Sequence, residues 1–533
     1  MTLAPSAFEA DRRARYSEGA GIYRITPAAV ARPMTLLELR AAIADARESG
    51  WGVTPRGAGS AMDGGNLGEG LLLDLTVFDA GRCDVSARDR TARLSPSVTL
   101  AQLQAAAGRA GLRFPPDPSS GAWATLGGML STNASGARSL RYGSVRRWVS
   151  ELTLETAAGP LRLVRGLPPD LEHPVMIRWY ATVAPLLAQH ADAIRRAYPA
   201  VRKNSAGYGL NHLLQSGDLL DLVVGAEGTL GIITDLVVRL DPVPCHRVSL
   251  RVVLGSRAQL VPALERLRAC DPTTLEFLDA SFLRIIEAGS ATVGAVDVPS
   301  GAAGLLLADL EDDDAADLEM RLDAAASAVA PFAVQVHTAR DPAAIDQLWQ
   351  IRHRASPVLA ALGDGRRSLQ VIEDGCVPPE RLGEYLDAID IATARQGIEA
   401  VMFGHAGDGH VHVNLLPNLG KPGWLEGVRA VFDEVTEAVL RLGGTTSGEH
   451  GAGRLRAGTL APLYGERVLE AFRAIKAAFD PDGLWNPGVI LGSGGHPLDR
   501  LKVGSDAVPL PAGIAERLRE IELGADWARS RWD

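Results

Sequence analysis

A chain of 533 residues is too long for one hydrophobic core and calls for two or three domains. With 46% hydrophobic and 22% charged residues it has the make-up of a globular protein, and a net charge of -10 excludes a general basic field for nucleic acid. The four cysteines (83, 245, 270, 376) lie far apart with no C-x-x-C pair, which argues against an Fe–S cluster, a zinc knuckle and a disulfide framework.

The first stretch, MTLAPSAFEADRRARYSEG, has no apolar leader, and no apolar run further on is long enough to span a bilayer. The expectation is a cytoplasmic protein, with peripheral attachment at the inner membrane left open. Thr35 and Glu38 form a capping box before an amphipathic helix that Gly50 ends. A short strand leads into TPRGAGSAMDGGN (54–66), whose glycines suit a turn with backbone N–H groups aimed at an anion. The loop has neither the G-x-G-x-x-G spacing nor the Lys-Ser/Thr ending of a P-loop. Strands are expected at 71–75 and near 94–97, then a second helix capped by Thr99 and closed by Gly111.

The stretch FPPDPSSGAWATLGGMLSTNASGARSLRYGSVRRW (114–148) is rich in glycine and small polar residues, with little room for a bulky core. Backbone this bare brings N–H groups close to a ligand, and the stretch reads as a surface laid along a long neutral-to-anionic molecule. Residues 151–164 alternate about Ala158-Gly159 as a hairpin, and 175–200 read as helix. Beyond the Pro242-Val-Pro244 boundary, strands at 248–254, 274–278, 304–310 and 332–337 alternate with helices at 258–269 and 315–329. The acidic run 311–314 caps the second of these helices. A helix at 342–362, a strand at 369–377, a helix at 379–396, two strands within 399–415 and a helix at 424–442 complete an antiparallel sheet with helices on one face. The tail, 505–533, reads as an amphipathic helix.

In FGHAGDGHVHVNL (403–415), His410, His412 and Asn414 alternate on one strand face, and a Gly-Asp-Gly turn folds His405 back toward them. Glu449-His450 sits in a distant glycine-flanked turn. Two or three imidazoles with a carboxylate suit a divalent metal such as Zn²⁺ or Mn²⁺.

These stretches resemble the FAD-binding oxidoreductases of the vanillyl-alcohol-oxidase (PCMH) type, in their D-lactate/glycolate dehydrogenase branch. The resemblance rests on PRGAGSAMDGG, on PPDP with ATLGGMLSTNASGARSLRYG, on EGTLGI, on the paired GHAGDGHVH and SGEHGAG, and on the ending FDPDGLWNPG. It implies an α+β protein with a two-part PCMH-type FAD-binding domain and a cap domain whose antiparallel sheet is covered by helices. The divisions expected are 1–243 for FAD, 244–440 for the cap, 441–495 for the return to the FAD domain, and 496–533 for a tail. No histidine stands in the glycine loop, so FAD is expected to be non-covalent.

By the same resemblance the cofactor contacts are Arg56, Gly57, Ala58, Gly59, Ser60, Pro116, Asp117, Gly127, Gly128, Asn133, Ser135, Gly136, Gly143, Glu227, Gly228, Gly231, Ile232 and Asn486. The metal ligands are His405, His412 and Glu449, and His450 is the general base. Arg352, with Ser356 beside it, grips the substrate carboxylate, and Asn414 also touches substrate. His410 stands where the family more often has Asn, which leaves its role open, and Val489 replaces a frequent lysine. Ile372, where relatives acting on dicarboxylates often carry lysine, points to a monocarboxylate.

The implied activity is oxidation of a D-2-hydroxyacid, D-lactate- or glycolate-like, to the 2-oxoacid. The electrons pass to a quinone, a cytochrome, an electron-transfer flavoprotein or a separate Fe–S subunit. A homodimer is compatible with this reading. An aldonolactone or carbohydrate flavin oxidase and a non-redox flavoenzyme like alkyl-glycerone-phosphate synthase are the alternatives.

Overall fold

The computed structural model describes residues 7–293, 301–353, 358–359, 362, 365–524, 526 and 529–532. Both capping boxes form. Thr35 and Glu38 close the start of helix Leu36–Glu48, and Thr99 and Gln102 that of Leu100–Gly108. Each satisfies two N–H groups that a helix start leaves unpaired. Gly111 lies three residues past the second helix rather than at its end.

The first half of the chain is built on two sheets. A parallel sheet has Leu71–Asp74 between Ala29–Ala31 and Val53–Arg56, and its central strand is buried throughout. A five-stranded antiparallel sheet runs in the order Cys83–Ser86, Thr91–Leu94, Ile232–Arg239, Val149–Thr156, Gly159–Val164. The stretch 114–148 is less bare than its glycines imply. Phe114, Leu126, Met129, Leu130 and Val145 join the core that lies against this sheet. The short helix Leu126–Thr132, capped by Thr125, buries Leu126, Met129 and Leu130 and leaves its hydroxyl residues half-buried.

The second half carries a seven-stranded antiparallel sheet. Its order is Gln335–Ala339, His246–Leu254, Gly304–Asp312, Thr274–Asp279, Glu399–Gly404, His410–Leu416, Gly375–Cys376. Helices cover both faces, not one. Leu260–Arg268, Ala315–Val329, Leu382–Gln396 and Trp424–Arg441 pack on one side. On the other side Phe282 and Ile286, from helix Ala280–Val293, pack with Ile345 and Trp349 from helix Pro342–His353. Helix Ala280–Val293 follows its strand without a turn signal, so the sequence pattern runs strand and helix together. Asp314 caps helix Ala315–Val329 as expected, accepting from the N–H groups of Ala316 and Asp317. Its neighbour Glu311 instead accepts a forked pair of bonds from Arg113, joining the sheet to the first half of the chain.

The strand expected at 369–377 shrinks to Gly375–Cys376, with one bridge from Leu369 to Leu415. Six residues separate Leu369 from Gly375, but only four separate their partners Leu415 and Val411. The two extra residues form a bulge, and Glu373-Asp374 sit in it. After the sheet the chain returns: Ala452, Leu460, Phe472 and Phe479 enter the first half's larger core, and Trp485 packs with Leu39 and Val53. Within the tail, helix Ala512–Gly524 packs on helix Ala7–Arg15. No described helix is long and apolar enough to cross a membrane.

Candidate active site

Two constructions meet at the junction of the halves. The first is the loop after strand Val53–Arg56. Among the described residues, the backbone N–H groups of Ala58, Gly59, Ser60, Ala61 and Met62 have no protein acceptor. Gly59 has φ +80°, and a Cβ there would run into the Arg56 guanidinium lying behind the loop. Arg56 is buried and donates to the carbonyls of Tyr16 and Glu18. No described carboxylate pairs with it, and burial together with the charge of Arg531 brings its pKa down to about 9. A run of free N–H groups in front of a buried cation fits a diphosphate group.

The stretch 114–148 lies between this loop and the second construction. A Cβ on Gly57 would strike the Thr125 hydroxyl, so the loop packs against the start of the short helix. Gly136, at φ +102°, lies flat on the Asp117 carbonyl. Asp117 is drawn up to about 6 by burial, opposed by Arg138, whose N–H it accepts. Several other residues expected at the cofactor have side chains committed to the protein. Asn133 ends the short helix at φ +54° and accepts from Arg146 N–H. The Glu227 carboxyl accepts from Ala452 and Gly453 N–H, and burial beside Asp63 raises its pKa well above the usual range. Asn486 donates to the carbonyls of Gly65 and Glu227. Gly127 packs on Pro96, Gly228 on Pro55 and Gly231 on Glu155. Pro116 lies beside Asp117, Gly143 ends the turn after Tyr142, and Ile232 is buried with Trp485.

The second construction is a buried cluster. Strand His410–Leu416 pairs with Glu399–Gly404 so that His412 faces Phe403, and the turn between them brings His405 back. The rings of His405 and His412 lie 5.1 Å apart. Each histidine has one ring nitrogen held by an oxygen. His405 Nδ1 bonds Glu276 at 2.5 Å, His412 Nδ1 bonds the Glu373 carbonyl at 3.0 Å, and His410 Nε2 bonds Asp374 at 2.8 Å. These contacts fix which nitrogen keeps its proton and which offers a lone pair.

His405 Nε2, His412 Nε2 and Glu449 Oε1 are mutually 3.1, 3.4 and 3.4 Å apart. A tetrahedral ion with bonds of roughly 2.0–2.1 Å separates its ligands by about 3.3 Å, so these three atoms fit a divalent cation. The other Glu449 oxygen accepts from the Ser135 hydroxyl at 2.6 Å, Gly136 N–H at 2.9 Å and Lys203 Nζ at 2.8 Å. Despite burial, Lys203 and His405 hold this carboxylate well below its usual pKa. Ser135 and Gly136, expected at the cofactor, thus bind the cluster directly.

His450 turns Nδ1 to Glu373 at 2.6 Å, and Arg456 pairs with the other oxygen of that carboxylate. Burial opposes charge on the ring, but Glu373 and Asp374 outweigh it and raise its pKa to about 10. Glu373 and Asp374 thus favour the charged ring, whereas a general base acts in its neutral form. Arg352 gives its Nε to Glu276 at 3.0 Å and lies over the Phe403 ring, and among the described residues its terminal NH₂ groups have no partner. The Asn414 carbonyl accepts from Ser368, while Ser356 lies outside the described residues.

Four residues of the cluster escaped the sequence reading: Lys203, Glu276, Glu373 and Asp374. Glu276 links His405 to Arg352, and against burial these two hold it far below the usual carboxylate range. Its one sequence signal is a lone charge inside the apolar run TLEFL, and the acidic pair in VIEDGC is similar.

Known proteins bear on both constructions. Residues 27–164 match the model of an FAD binding domain, and residues 243–490 that of the C-terminal domain of FAD linked oxidases. The chain is 32% identical to a D-lactate dehydrogenase of Archaeoglobus fulgidus over 467 residues, 87% of this chain and 91% of the relative. It is 30% identical to the glycolate oxidase subunit GlcD of Bacillus subtilis over 472 residues, 87% and 89% of the two chains. A D-2-hydroxyglutarate dehydrogenase of Escherichia coli is 27% identical, covering 95% of this chain but 52% of its own longer one. In fold it is similar to an alkyldihydroxyacetonephosphate synthase, with TM-score 0.57 at 16% identity over 89% of this chain and 80% of that one. The chain therefore belongs to the FAD-linked oxidase family, and is an FAD-dependent oxidoreductase related to the D-lactate, glycolate and D-2-hydroxyglutarate dehydrogenases.

Proposed function

We propose that the enzyme oxidises a D-2-hydroxyacid of the D-lactate or glycolate kind to its 2-oxoacid, assisted by a divalent cation, and passes the electrons to a non-nicotinamide acceptor. The observation that carries this reading is the triangle of His405 Nε2, His412 Nε2 and Glu449 Oε1, tied through Ser135 and Gly136 to the stretch beside the free N–H loop. In this reading residues 1–243 and 441–495 hold FAD and 244–440 cover it. FAD supplies the acceptor for the Cα hydride, and a cation held by His405, His412 and Glu449 makes the substrate hydroxyl more acidic.

The chain's own groups do the rest. Arg352, its plane fixed by Glu276 and Phe403, offers its terminal NH₂ groups to the substrate carboxylate. Asn414 keeps its amide NH₂ for the same ligand, because Ser368 occupies its oxygen. Glu373 holds His450 Nδ1–H, leaving Nε2 to take the hydroxyl proton. His450 Nε2 lies 3.8 Å from Glu449 Oε1, so positive charge arriving there opposes the proton that Glu373 and Asp374 keep on the ring. Ile372, whose aliphatic side chain argues by resemblance for a monocarboxylate, packs instead in the helix-side core with Tyr385, Phe432 and Val435, so the choice of a monocarboxylate rests on the resemblance alone.

The test is anaerobic addition of D- and L-2-hydroxyacids to the yellow protein, before and after a chelator. Bleaching by a D-monocarboxylate that the chelator abolishes is expected, along with loss of bleaching in His450→Ala. If none of the acids bleaches the flavin, the proposal fails.

A further inference from the structure

His410 has a free nitrogen that the triangle above does not use. Its Nε2 is bonded to Asp374 Oδ1, and that carboxylate also accepts from the N–H groups of Glu449 and His450 and from the Ser447 hydroxyl. Asp374 receives donors on every side, so it takes the proton of His410 Nε2 as a donor too, and the lone pair stays on Nδ1. Nδ1 is fully buried and has no hydrogen-bond partner among the described residues. An acceptor buried without a partner costs about 1–3 kcal/mol, so its persistence in a crowded core calls for a ligand.

The surroundings are shaped for this ring. A Cβ on Gly448 would come within 2.7 Å of it, so only glycine leaves the imidazole room. The ring lies 4.6 Å from that of His412 and 5.4 Å from that of His405. One ligand atom from each of His405, His410, His412 and Glu449 falls within 4.8 Å of all the others. The cluster's lysine, Lys203, bonds the opposite oxygen of Glu449.

We propose that His410, through Nδ1, is a fourth protein ligand to the divalent cation held by His405, His412 and Glu449. The inference rests on the cation site of the preceding reading and extends it. Three imidazoles and one carboxylate form a borderline-soft donor set suited to Zn²⁺, Co²⁺ or Mn²⁺ rather than Mg²⁺ or Ca²⁺. Asp374 positions the ligand, in the carboxylate–histidine–metal arrangement.

The test uses the full-length, flavin-loaded protein stripped with a chelator and titrated with Co²⁺, for the natural chain, His410→Asn and His412→Asn. Affinity is read by calorimetry, and imidazole number by X-ray absorption at the cobalt edge. Three imidazoles are expected in the natural chain and two in His410→Asn, whose affinity should fall on the order of 100-fold, near that of His412→Asn. Two imidazoles in the natural chain, or a His410→Asn affinity within about threefold of it, overturns the proposal while leaving the three-ligand site intact. No Co²⁺ bound by the natural chain overturns both. Should His410→Asn lose its flavin, the imidazole count of the natural chain decides alone.

Discussion

The glycine loop at 57–62 and the cluster around Glu449 both face the junction of the halves, yet they are made of opposite materials. The loop presents backbone N–H groups with one buried arginine behind them, and its own side chains are nearly irrelevant. The cluster presents side chains, each held by a second one: Glu276 on His405, Asp374 on His410, Glu373 on His450, Lys203 on Glu449. A backbone cradle needs the absence of atoms, whereas the cluster needs particular charged atoms and neutralises them in pairs. The two should therefore fail in different ways: the cradle by adding a methyl group, the cluster by removing a partner.

Glu449→Ala should give the largest effect. It removes the partner of a buried ammonium, since against burial Glu449 and Asp408 are what raise the pKa of Lys203. Breaking a buried pair from one side costs about 3–5 kcal/mol. Urea unfolding of cation-free protein should show this loss, and Glu449→Ala with Lys203→Met should recover much of it. A single variant as stable as the natural chain would mean that the pair is not closed in solution.

The next effect is that of pH on cation affinity. Glu276, overcoming burial, holds His405 up to about 9, so below that pH a cation must displace a proton. Burial lowers the pKa of His412, which adds no such competition near neutrality. Apparent affinity should rise about tenfold per pH unit up to about 9 and then level off. In the cation-free protein the sign reverses. The raised pKa stabilises the fold fully below the unfolded value of about 6.5, and that stabilisation is lost as pH rises through 9. Glu276→Gln should flatten both trends, as calorimetric titration between pH 6 and 10 would show.

The same contrast explains what the sequence disclosed. The glycine loop, the two capping boxes and the alternation of His410, His412 and Asn414 are local patterns, and the fold realises them where they stand. The partners are another matter. Glu276 comes from a strand more than a hundred residues before His405, and nothing in TLEFL distinguishes an inward carboxylate from one at a sheet edge. Glu373 and Asp374 reach the site only through the bulge opposite Val411–Leu415, a register shift set by tertiary pairing. His450 was legible as a residue, but Glu373, which holds its Nδ1, lies in that bulge. Helix Ala280–Val293 escaped because no glycine or proline parts it from its strand.

The smallest effects belong to the cradle, where neighbouring residues should behave oppositely. Gly59 has φ +80°, so Gly59→Ala carries about 1–2 kcal/mol of left-handed strain and sets a methyl group against Arg56. Its affinity for FAD should drop about 5- to 30-fold. Ser60→Ala deletes a hydroxyl that makes no bond within the described protein, and keeps the N–H group through which the loop would hold a diphosphate. Its affinity should stay within about twofold of the natural chain, since no net hydrogen bond is lost. Both values follow from flavin fluorescence on rebinding to the stripped protein. Were Ser60→Ala the weaker binder, the hydroxyl rather than the backbone would be the donor, and the loop would belong with the cluster as a site made of side chains.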